Sequence, residues 1–214
     1  MKAILIYSGG LDSTTLLHEY RDSIVLALSF DYGARHNKKE LAFAEANCRK
    51  LGIRHMVIPL EFIGKYFRSD LLLGSGGDIP DGGYTDASMR STVVPFRNGI
   101  MLAVATGLAE SIDADTVLIA NHSGDHAIYP DCRPGFIAAF DEAASAGTYN
   151  GVRIVSPYCG IDKRAIALRG LGLGVDFAMT WSCYRGGDRH CGKCGTCSER
   201  KEALLGFDPT EYEE

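Results

Sequence analysis

Short apolar runs alternate with segments of helical periodicity in the first part of the chain. Residues 3–7 and residues 24–30 are apolar enough to form buried strands, and a third strand is predicted at residues 56–58. Between the last two, residues 38–51 place apolar side chains at three- and four-residue spacing and end at Gly52, a residue type that often closes a helix. The order strand, helix, strand, helix, strand predicts a parallel sheet with helices on both faces.

The alternation resumes after a long polar stretch. Residues 67–92 are glycine-rich and aperiodic, so we expect a long loop there, and such loops in compact domains are usually functional or disordered. The later pattern predicts an alanine-rich helix to about residue 112, strands at 116–120 and 152–155, and helices at 134–146 and 163–171. The chain has 214 residues and shows no repeat or linker, which predicts one doubly wound α/β domain spanning residues 1–214.

Charge and composition narrow the class of function. The formal net charge is −5, whereas proteins that bind long nucleic acids are usually basic, so a small-molecule substrate is favoured. The first residues lack the apolar run of a secretory signal, and we expect no stretch that approaches the ~20 apolar residues of a membrane span. The expected location is the cytoplasm.

A glycine-rich loop directly follows the first predicted strand. Residues 7–13 read Tyr-Ser-Gly-Gly-Leu-Asp-Ser, and the next helix offers free N–H groups and a positive dipole end to a phosphate. The hydroxyls of Ser8, Ser13 and Thr14 can add hydrogen bonds, and Asp12 can hold a metal-bound phosphate. The loop lacks the Walker ending and the dinucleotide fingerprint. A tight strand-to-helix turn without a ligand is the alternative.

Four cysteines near the end of the chain have the spacing C-x7-C-x2-C-x2-C. Cys-x-x-Cys pairs direct two thiolates at one ion, and four thiolates complete a closed tetrahedral site. This predicts one structural Zn²⁺ per chain, within residues 183–197, held by Cys183, Cys191, Cys194 and Cys197. An iron–sulfur cluster and unliganded or disulfide-bonded cysteines are the alternatives. The adjacent His190 is expected to be a solvated neighbour rather than a ligand.

The Ser-Gly-Gly-x-Asp-Ser string resembles the signature of the ATP-pyrophosphatase superfamily, whose members cleave ATP to AMP and pyrophosphate. With the cysteines and four further strings, the chain resembles the 7-cyano-7-deazaguanine synthase family of the queuosine pathway. Those strings are Phe-Asp-Tyr-Gly-Ala-Arg-His at 30–36, Val-Pro-Phe-Arg-Asn at 94–98, Tyr-Pro-Asp-Cys-Arg at 129–133 and Thr-Trp-Ser-Cys-Tyr at 180–184. The resemblance implies an adenine-nucleotide α-hydrolase-like sheet with a C-terminal zinc-knuckle appendage.

The resemblance also implies an activity. The family converts 7-carboxy-7-deazaguanine and ammonia into the nitrile, with ATP as co-substrate and Mg²⁺, through an acyl adenylate and an amide. For this chain it implies a small-molecule substrate, no stable nucleic-acid binding and no membrane, and it leaves a homodimer open.

Residue roles are implied position by position. ATP is expected to bind along Tyr7, Ser8, Gly9, Gly10, Leu11, Asp12, Ser13, Thr14, Thr15, Leu16 and Leu17. The candidate catalytic residues are Asp12, Arg97 and Lys163, the last two as cations that stabilise phosphate charge. Asp131 or Asp125 is expected to accept the donors of the deazaguanine ring, and the substrate carboxylate or a phosphate is expected at Arg35, His36 and Arg133. The sequence departs from the family's usual string at Ala127 and Ile128, which bears on substrate identity.

Two other functions remain alternatives. One is a related adenylating ligase that acts on another substrate, such as a tRNA base. The other is a zinc-ribbon module that binds ATP without turning it over.

Overall fold

The computed structural model describes residues 1–75, 77–82, 90–125 and 129–213. Within these residues, five parallel strands form one sheet in the order β3-β2-β1-β4-β5. The strands are β1 Ala3–Ile6, β2 Ile24–Asp31, β3 His55–Pro59, β4 Thr116–Leu118 and β5 Arg153–Val155. The predicted parallel, doubly wound sheet is therefore confirmed, and each predicted strand lies within two residues of its observed position.

Seven α-helices lie wholly within the described residues. They are α1 Leu11–Glu19, α2 Asn37–Leu51, α3 Glu61–Tyr66, α4 Arg97–Ser111, α5 Pro134–Gly147, α6 Lys163–Gly172 and α7 Gly195–Ala203. The pattern of apolar residues did not predict α3, which is short, or α7. The buried residues of α7 are Gly195, Thr196, Cys197, Arg200 and Ala203.

The two faces of the sheet bury separate apolar clusters. Along β1, Ala3 and Leu5 point into one cluster and Ile4 into the other, as the two-residue period of a strand requires. Side chains of α1, α2, α6 and α7 complete the first cluster, while α3, α4 and α5 complete the second. Covering both faces explains why the strands read as continuous apolar runs.

One stretch, Arg90–Ser111, is long and apolar enough to cross a membrane by length and composition alone. This corrects the expectation that no stretch approaches that length. In the structure, helix α4 within this stretch packs on β1 and β4, and its side chains Met101, Leu102 and Ala105 are buried in the core. That is the packing of a core helix.

Two helix starts have no side-chain cap from a neighbouring residue. The cap position of α1 is Gly10, no side chain bonds there, and Asp12 lies in the first turn. Helix α4 begins after Phe96, whose φ of 52° is left-handed, and its Asn98 N–H donates to Asp131 at 2.8 Å. A carboxylate distant in sequence therefore caps this helix, which local capping patterns do not reveal.

Candidate functional site

A cavity of ≈ 230 Å³ lies at the carboxyl edge of the sheet. Its lining includes residues that follow β1, β2 and β4, among them Ser8, Tyr32 and Asn121. The helices that follow β1 and β4 lie on opposite faces of the sheet, so a crevice opens between these two strands. In open α/β sheets ligands bind at such a switch point.

The glycine-rich loop at residues 7–13 forms one wall of the cavity. We call it the phosphate loop after its predicted ligand. Tyr7, Ser8, Gly10, Leu11, Asp12 and Ser13 line the cavity, whereas Gly9 and residues 14–17 do not. Within the loop, Ser8 Oγ accepts the Gly10 N–H at 3.1 Å and lies 3.1 Å from Ser13 Oγ. Thr14, Thr15, Leu16 and Leu17 are buried beneath the loop in the apolar core. Of the residues that the sequence predicts to bind ATP, only these six line the cavity.

Gly9 is required by packing rather than by phosphate. Its φ is +80°, and a Cβ there would lie 2.5 Å from the Glu40 carbonyl oxygen and 2.9 Å from the Ala44 nitrogen of α2. A side chain at Gly9 would therefore collide with the backbone of α2. A Cβ at Gly10 would meet only Ser8 Oγ at 3.1 Å and the Trp181 carbonyl oxygen at 3.4 Å.

We therefore expect the two glycine substitutions to differ in kind. Gly9→Ala forces both a left-handed φ and a clash with helix backbone, and we expect it to lower the free energy of unfolding by about 3 kcal/mol. Gly10→Ala should lower the stability by less than half as much and act chiefly on ATP use. Urea unfolding of both variants checks this, and equal losses of stability would contradict it.

A charged cluster lies beside the loop. Lys163 Nζ is 3.5 Å from Asp12 Oδ2 and 3.2 Å from Glu199 Oε2. Burial lowers the pKa of Lys163, but Asp12, Glu199 and Asp125 outweigh it, so the net shift is upward and the amine stays charged. Glu199 was not predicted to lie here, because no motif includes it and it lies between the last cysteine and the end of α7.

His122 joins the two aspartates of this cluster. Its Nδ1 accepts the Gly124 N–H at 3.1 Å, so the neutral ring carries its hydrogen on Nε2. Nε2 lies 3.5 Å from Asp125 Oδ1 and 4.0 Å from Asp12 Oδ2. Among the described residues, Asp12 Oδ1 is a buried oxygen with no hydrogen-bond partner, and His122 Nε2 is a buried nitrogen with none. The cluster therefore contains an unfilled acceptor on Asp12 and an unfilled donor on His122.

Arg97 also lines the cavity, where it lies among aromatic rings. Its guanidinium lies 5.4 Å from the ring centre of Tyr32 and 5.9 Å from that of Tyr129. It donates to Tyr32 Oη at 3.0 Å, and Tyr129 Oη lies 2.6 Å from Tyr184 Oη. A guanidinium stays charged at every relevant pH, so an arginine whose contacts are to neutral rings is suited to receive an anion.

The structure separates the predicted substrate residues into two groups. His36 and Asp125 line the cavity, whereas Arg35, Asp131 and Arg133 do not. Asp131 is 6% exposed and bonds Asn98, and Arg35 donates to the carbonyl oxygens of Asp70 and Gly77. Arg133 is exposed. Ala127 and Ile128, where the sequence departs from the family string, lie outside the described residues.

This arrangement predicts different outcomes for two aspartates. Asp131→Asn should cost about 1–2 kcal/mol of stability through the α4 cap and leave the Michaelis constants nearly unchanged. Asp125→Asn should lower kcat/KM at least tenfold with a smaller loss of stability. Thermal unfolding and steady-state kinetics of both variants check this. A large kinetic defect confined to Asp131→Asn would contradict it.

Several lining residues were not predicted as site residues. They are Tyr32, Glu40, Asn98, Asn121, Tyr129, Cys132, Trp181, Ser182, Tyr184 and Thr196. Most lie in the strings at 30–36, 94–98, 129–133 and 180–184 that carry the family resemblance. These residues could have been found from the sequence, because each string follows a strand, begins a helix or adjoins a cysteine.

The four cysteines form a compact buried group. Their sulfur atoms all lie within 4.8 Å of one another, with Cys191 Sγ and Cys197 Sγ 3.9 Å apart. Zn–S bonds of about 2.3 Å place tetrahedral thiolates roughly 3.8 Å apart, so the group fits a single ion. Backbone N–H groups of Lys193 and Cys194 donate to Cys191 Sγ at 3.4 and 3.3 Å, as a tight knuckle requires.

His190 is not a solvated neighbour as expected. It is 5% exposed, its ring centre lies 4.3 Å from that of Trp181, and its Nε2 accepts the Ser182 N–H at 3.1 Å. The ring therefore supports the cavity wall.

The C-terminal four-cysteine segment also contributes to the cavity wall. Cys183 stands between Ser182 and Tyr184, which both line the cavity. The backbone N–H of Trp181 donates to the Gly9 carbonyl oxygen at 3.0 Å, which connects this segment to the phosphate loop. Arg200 of α7, fully buried, donates to Ser182 Oγ at 3.1 Å. An ion held by the cysteines would thus help to hold Ser182 and Tyr184 in place at the cavity.

Comparisons with known proteins agree with this architecture. The U34-tRNA thiolase NcsA from Methanococcus maripaludis, solved with its [4Fe-4S] cluster, superposes with a TM-score of 0.52 at 15% identity, covering 98% of this chain and 67% of that one. The NMN synthetase from Francisella tularensis gives 0.51 at 14% identity, covering 87% and 68%. At these identities the likeness concerns the fold alone.

Sequence relatives are much closer. A 7-cyano-7-deazaguanine synthase from Porphyromonas gingivalis is 62% identical over 99% of this chain and 97% of its own length. That of Desulfotalea psychrophila is 52% identical over 98% of both chains. The family model described as queuosine biosynthesis protein QueC matches residues 2–208. The chain belongs to the QueC family of queuosine biosynthesis proteins.

Proposed function

We propose that this enzyme converts 7-carboxy-7-deazaguanine and ammonia into 7-cyano-7-deazaguanine with two molecules of ATP. The proposal rests on the observation that the phosphate loop, Lys163 and Arg97 all line one cavity, and that the loop contributes Asp12 to it. Each ATP transfers its adenylyl group to one oxygen of the original carboxylate and releases pyrophosphate. Both oxygens then leave in AMP, first when ammonia forms the amide and then when the amide becomes the nitrile.

The loop end of the cavity is suited to ATP. Free N–H groups at the start of α1 and the hydroxyls of Ser8 and Ser13 offer donors to phosphate. Lys163 supplies a fixed positive charge where charge develops on the departing pyrophosphate. The open oxygen of Asp12 fits a phosphate-bound Mg²⁺, which would neutralise phosphate charge when bound.

The surroundings of Arg97 are suited to the carboxylate of the substrate. A guanidinium can bind both oxygens of a carboxylate and hold one of them toward the α-phosphate. His36 and Tyr184 line the same cavity, with ring centres 5.3 Å apart, and supply flat surfaces for a heterocycle. Asp125 remains a candidate for the ring donors, although its place near Asp12 and Lys163 also suits the metal–phosphate group.

We propose that the four cysteines hold one structural Zn²⁺. The sulfur spacing matches a single tetrahedral ion, and the buried, closed set leaves no position for a reacting ligand. A cluster of several irons carries its own bridging sulfides and spreads its cysteine ligands farther apart. We also propose that the enzyme is cytoplasmic, that its substrates are small molecules and that it does not bind nucleic acids stably. A homodimer remains open as its oligomeric state.

Counting products tests the proposed reaction. The purified enzyme is incubated with 7-carboxy-7-deazaguanine, ammonium and Mg-ATP, and AMP, pyrophosphate and the deazaguanine product are quantified together. We expect two AMP and two pyrophosphate for each nitrile, and no ATP cleavage above background without the acid. A ratio of one AMP to one deazaguanine product would mean that the reaction ends at the amide, which would contradict the proposal.

The tRNA-modifying alternative is tested by retention on tRNA. The net charge of −5 favours weak binding, so the protein should elute from immobilised tRNA at physiological salt. Retention together with tRNA-dependent AMP release would favour the alternative.

A further inference from the structure

His122 connects two loops that meet at the crevice of the sheet. It lies in the loop after β4, whereas Asp12 lies in the first turn of α1, after β1. The residue is only 2% exposed and does not line the cavity, although its neighbours Asp12 and Asp125 do. His122 is therefore placed to act on a bound ligand through these two carboxylates.

The surrounding loop fixes the orientation and the tautomer of the His122 ring. Its Nδ1 accepts the Gly124 N–H at 3.1 Å, so the hydrogen of the neutral ring is on Nε2. A Cβ at Gly124 would lie 2.8 Å from Cε1 of the ring, which shows how closely the loop packs on it. The Ser123 N–H donates to the Ile161 carbonyl oxygen at 3.0 Å and anchors the same loop separately. The ring thus offers one fixed N–H donor.

This donor lies between two carboxylates. His122 Nε2 is 3.5 Å from Asp125 Oδ1 and 4.0 Å from Asp12 Oδ2, and it has no hydrogen-bond partner among the residues that the structure describes. The backbone N–H of His122 donates to Asp125 Oδ2 at 3.0 Å. One residue therefore approaches Asp125 through both its backbone and its ring, and approaches Asp12 through the ring.

The two oxygens of Asp12 differ in their surroundings. Oδ2 lies 3.5 Å from Lys163 Nζ and 4.0 Å from His122 Nε2, whereas Oδ1 is buried and has no partner within the described part of the chain. Two donors near Oδ2 favour the orientation of the carboxylate that leaves Oδ1 free. A free carboxylate oxygen is the kind of ligand that Mg²⁺ takes beside phosphate.

We propose that His122 is a positioning residue whose Nε2–H holds the carboxylates of Asp12 and Asp125 so that Asp12 Oδ1 is available to the Mg²⁺ of Mg-ATP. This inference rests on the proposed function, which supplies that ion. A small turn of either carboxylate brings its oxygen within hydrogen-bond distance of Nε2. The unpaired donor and acceptor cost stability in the free protein, and both gain a partner when the ion binds.

Two substitutions separate this role from a purely structural one. Asparagine places an acceptor near the position of Nδ1, so His122→Asn can still bond the Gly124 N–H but lacks the donor at Nε2. Glutamine places an amide nitrogen near the position of Nε2, so His122→Gln keeps the donor and lacks that acceptor. The control is His18→Gln, in the last turn of α1.

The measurement is equilibrium binding and needs no turnover. The analogue α,β-methylene-ATP carries carbon in place of the oxygen at which ATP would be cleaved, so it binds without reacting. Its dissociation constant is measured by titration calorimetry with saturating Mg²⁺ and in buffer without divalent ions. The ratio of the two constants gives the contribution of the ion, and thermal unfolding confirms that each variant is folded.

We expect the Mg²⁺-dependent gain in affinity to fall roughly 10- to 100-fold in His122→Asn and to stay within about threefold of wild type in His122→Gln, since residues that orient a metal ligand typically contribute on this scale. His18→Gln should match wild type. A wild-type gain in His122→Asn would overturn the inference, as would the opposite order, in which His122→Gln loses more than His122→Asn. Equal binding with and without Mg²⁺ in the wild type would also overturn it.

A second measurement leaves His122 in place, and it decides the question if His122→Asn does not fold. The ¹⁵N resonance of Nε2 in the wild-type protein, assigned by its loss in His122→Gln, should shift when Mg²⁺ and the analogue are added together. An unchanged resonance on saturation would overturn the inference. A wild-type protein that binds no analogue even with Mg²⁺ would instead contradict the proposed function.

Discussion

Replacing Lys163 with methionine is expected to lower the rate of substrate adenylation about 100- to 1,000-fold. The amine is the cation nearest Asp12, and its upward-shifted pKa keeps it charged at working pH. Removing one preorganised charge from a transition state typically costs a factor of this size in kcat. Because the charge counts most where pyrophosphate departs, we expect kcat to fall far more than the KM for ATP rises.

Two controls separate this effect from misfolding. Lys50→Met removes an exposed lysine that lies 4.0 Å from Asp176 on the surface, and it should retain wild-type rates. Lys163→Arg keeps a positive charge in the pocket and should recover part of the adenylation rate. Acid-dependent ATP–pyrophosphate exchange measures the step directly. Exchange at the wild-type rate in Lys163→Met would contradict a role for this cation at the phosphates.

Replacing Cys194 with serine is expected to remove the metal and most of the activity together. Cys194 is buried within the four-cysteine group, whose sulfur atoms all lie within 4.8 Å of one another. Metal-binding energy is folding energy for such a segment. The loss of the ion should release Ser182 and Tyr184 from the cavity wall, so nitrile formation should fall at least 100-fold.

The matched control is Cys159→Ser, which changes a cysteine outside the four-cysteine group. Metal analysis should find about one zinc per chain in the wild type and in Cys159→Ser, and little in Cys194→Ser. The melting temperature of Cys194→Ser should fall, while far-UV circular dichroism still reports the α/β sheet. Iron in place of zinc would contradict the proposed ion, and an unchanged melting temperature would contradict its structural role.

The sequence predicted most of the architecture because the sheet is buried on both faces. Its strands are then uniformly apolar and its crossovers are helices, and both leave clear patterns along the chain. Helix α7 was missed because its buried side includes the polar residues Thr196 and Arg200 and therefore forms no apolar stripe.

The candidate site could be predicted only in part. Asp12, Arg97 and Lys163 were identified from residue type and motif, and all three line the cavity. Asp131 looked equally suitable, since a carboxylate after Tyr-Pro is well placed by sequence alone. Its partner Asn98 comes from another helix, so only the tertiary structure shows that the carboxylate is a cap. His122 was overlooked because a histidine in a polar loop is ordinarily solvated, and its neighbour Asp12 comes from a different part of the chain.

The most direct test of the account is the mass of the deazaguanine product. The enzyme is incubated with Mg-ATP, ammonium and 7-carboxy-7-deazaguanine labelled with ¹⁸O in both carboxylate oxygens, and both products are analysed by mass spectrometry. The account predicts conversion to the nitrile, with one labelled oxygen in each AMP released. Unconverted acid, an amide as the final product, or AMP without label would contradict it.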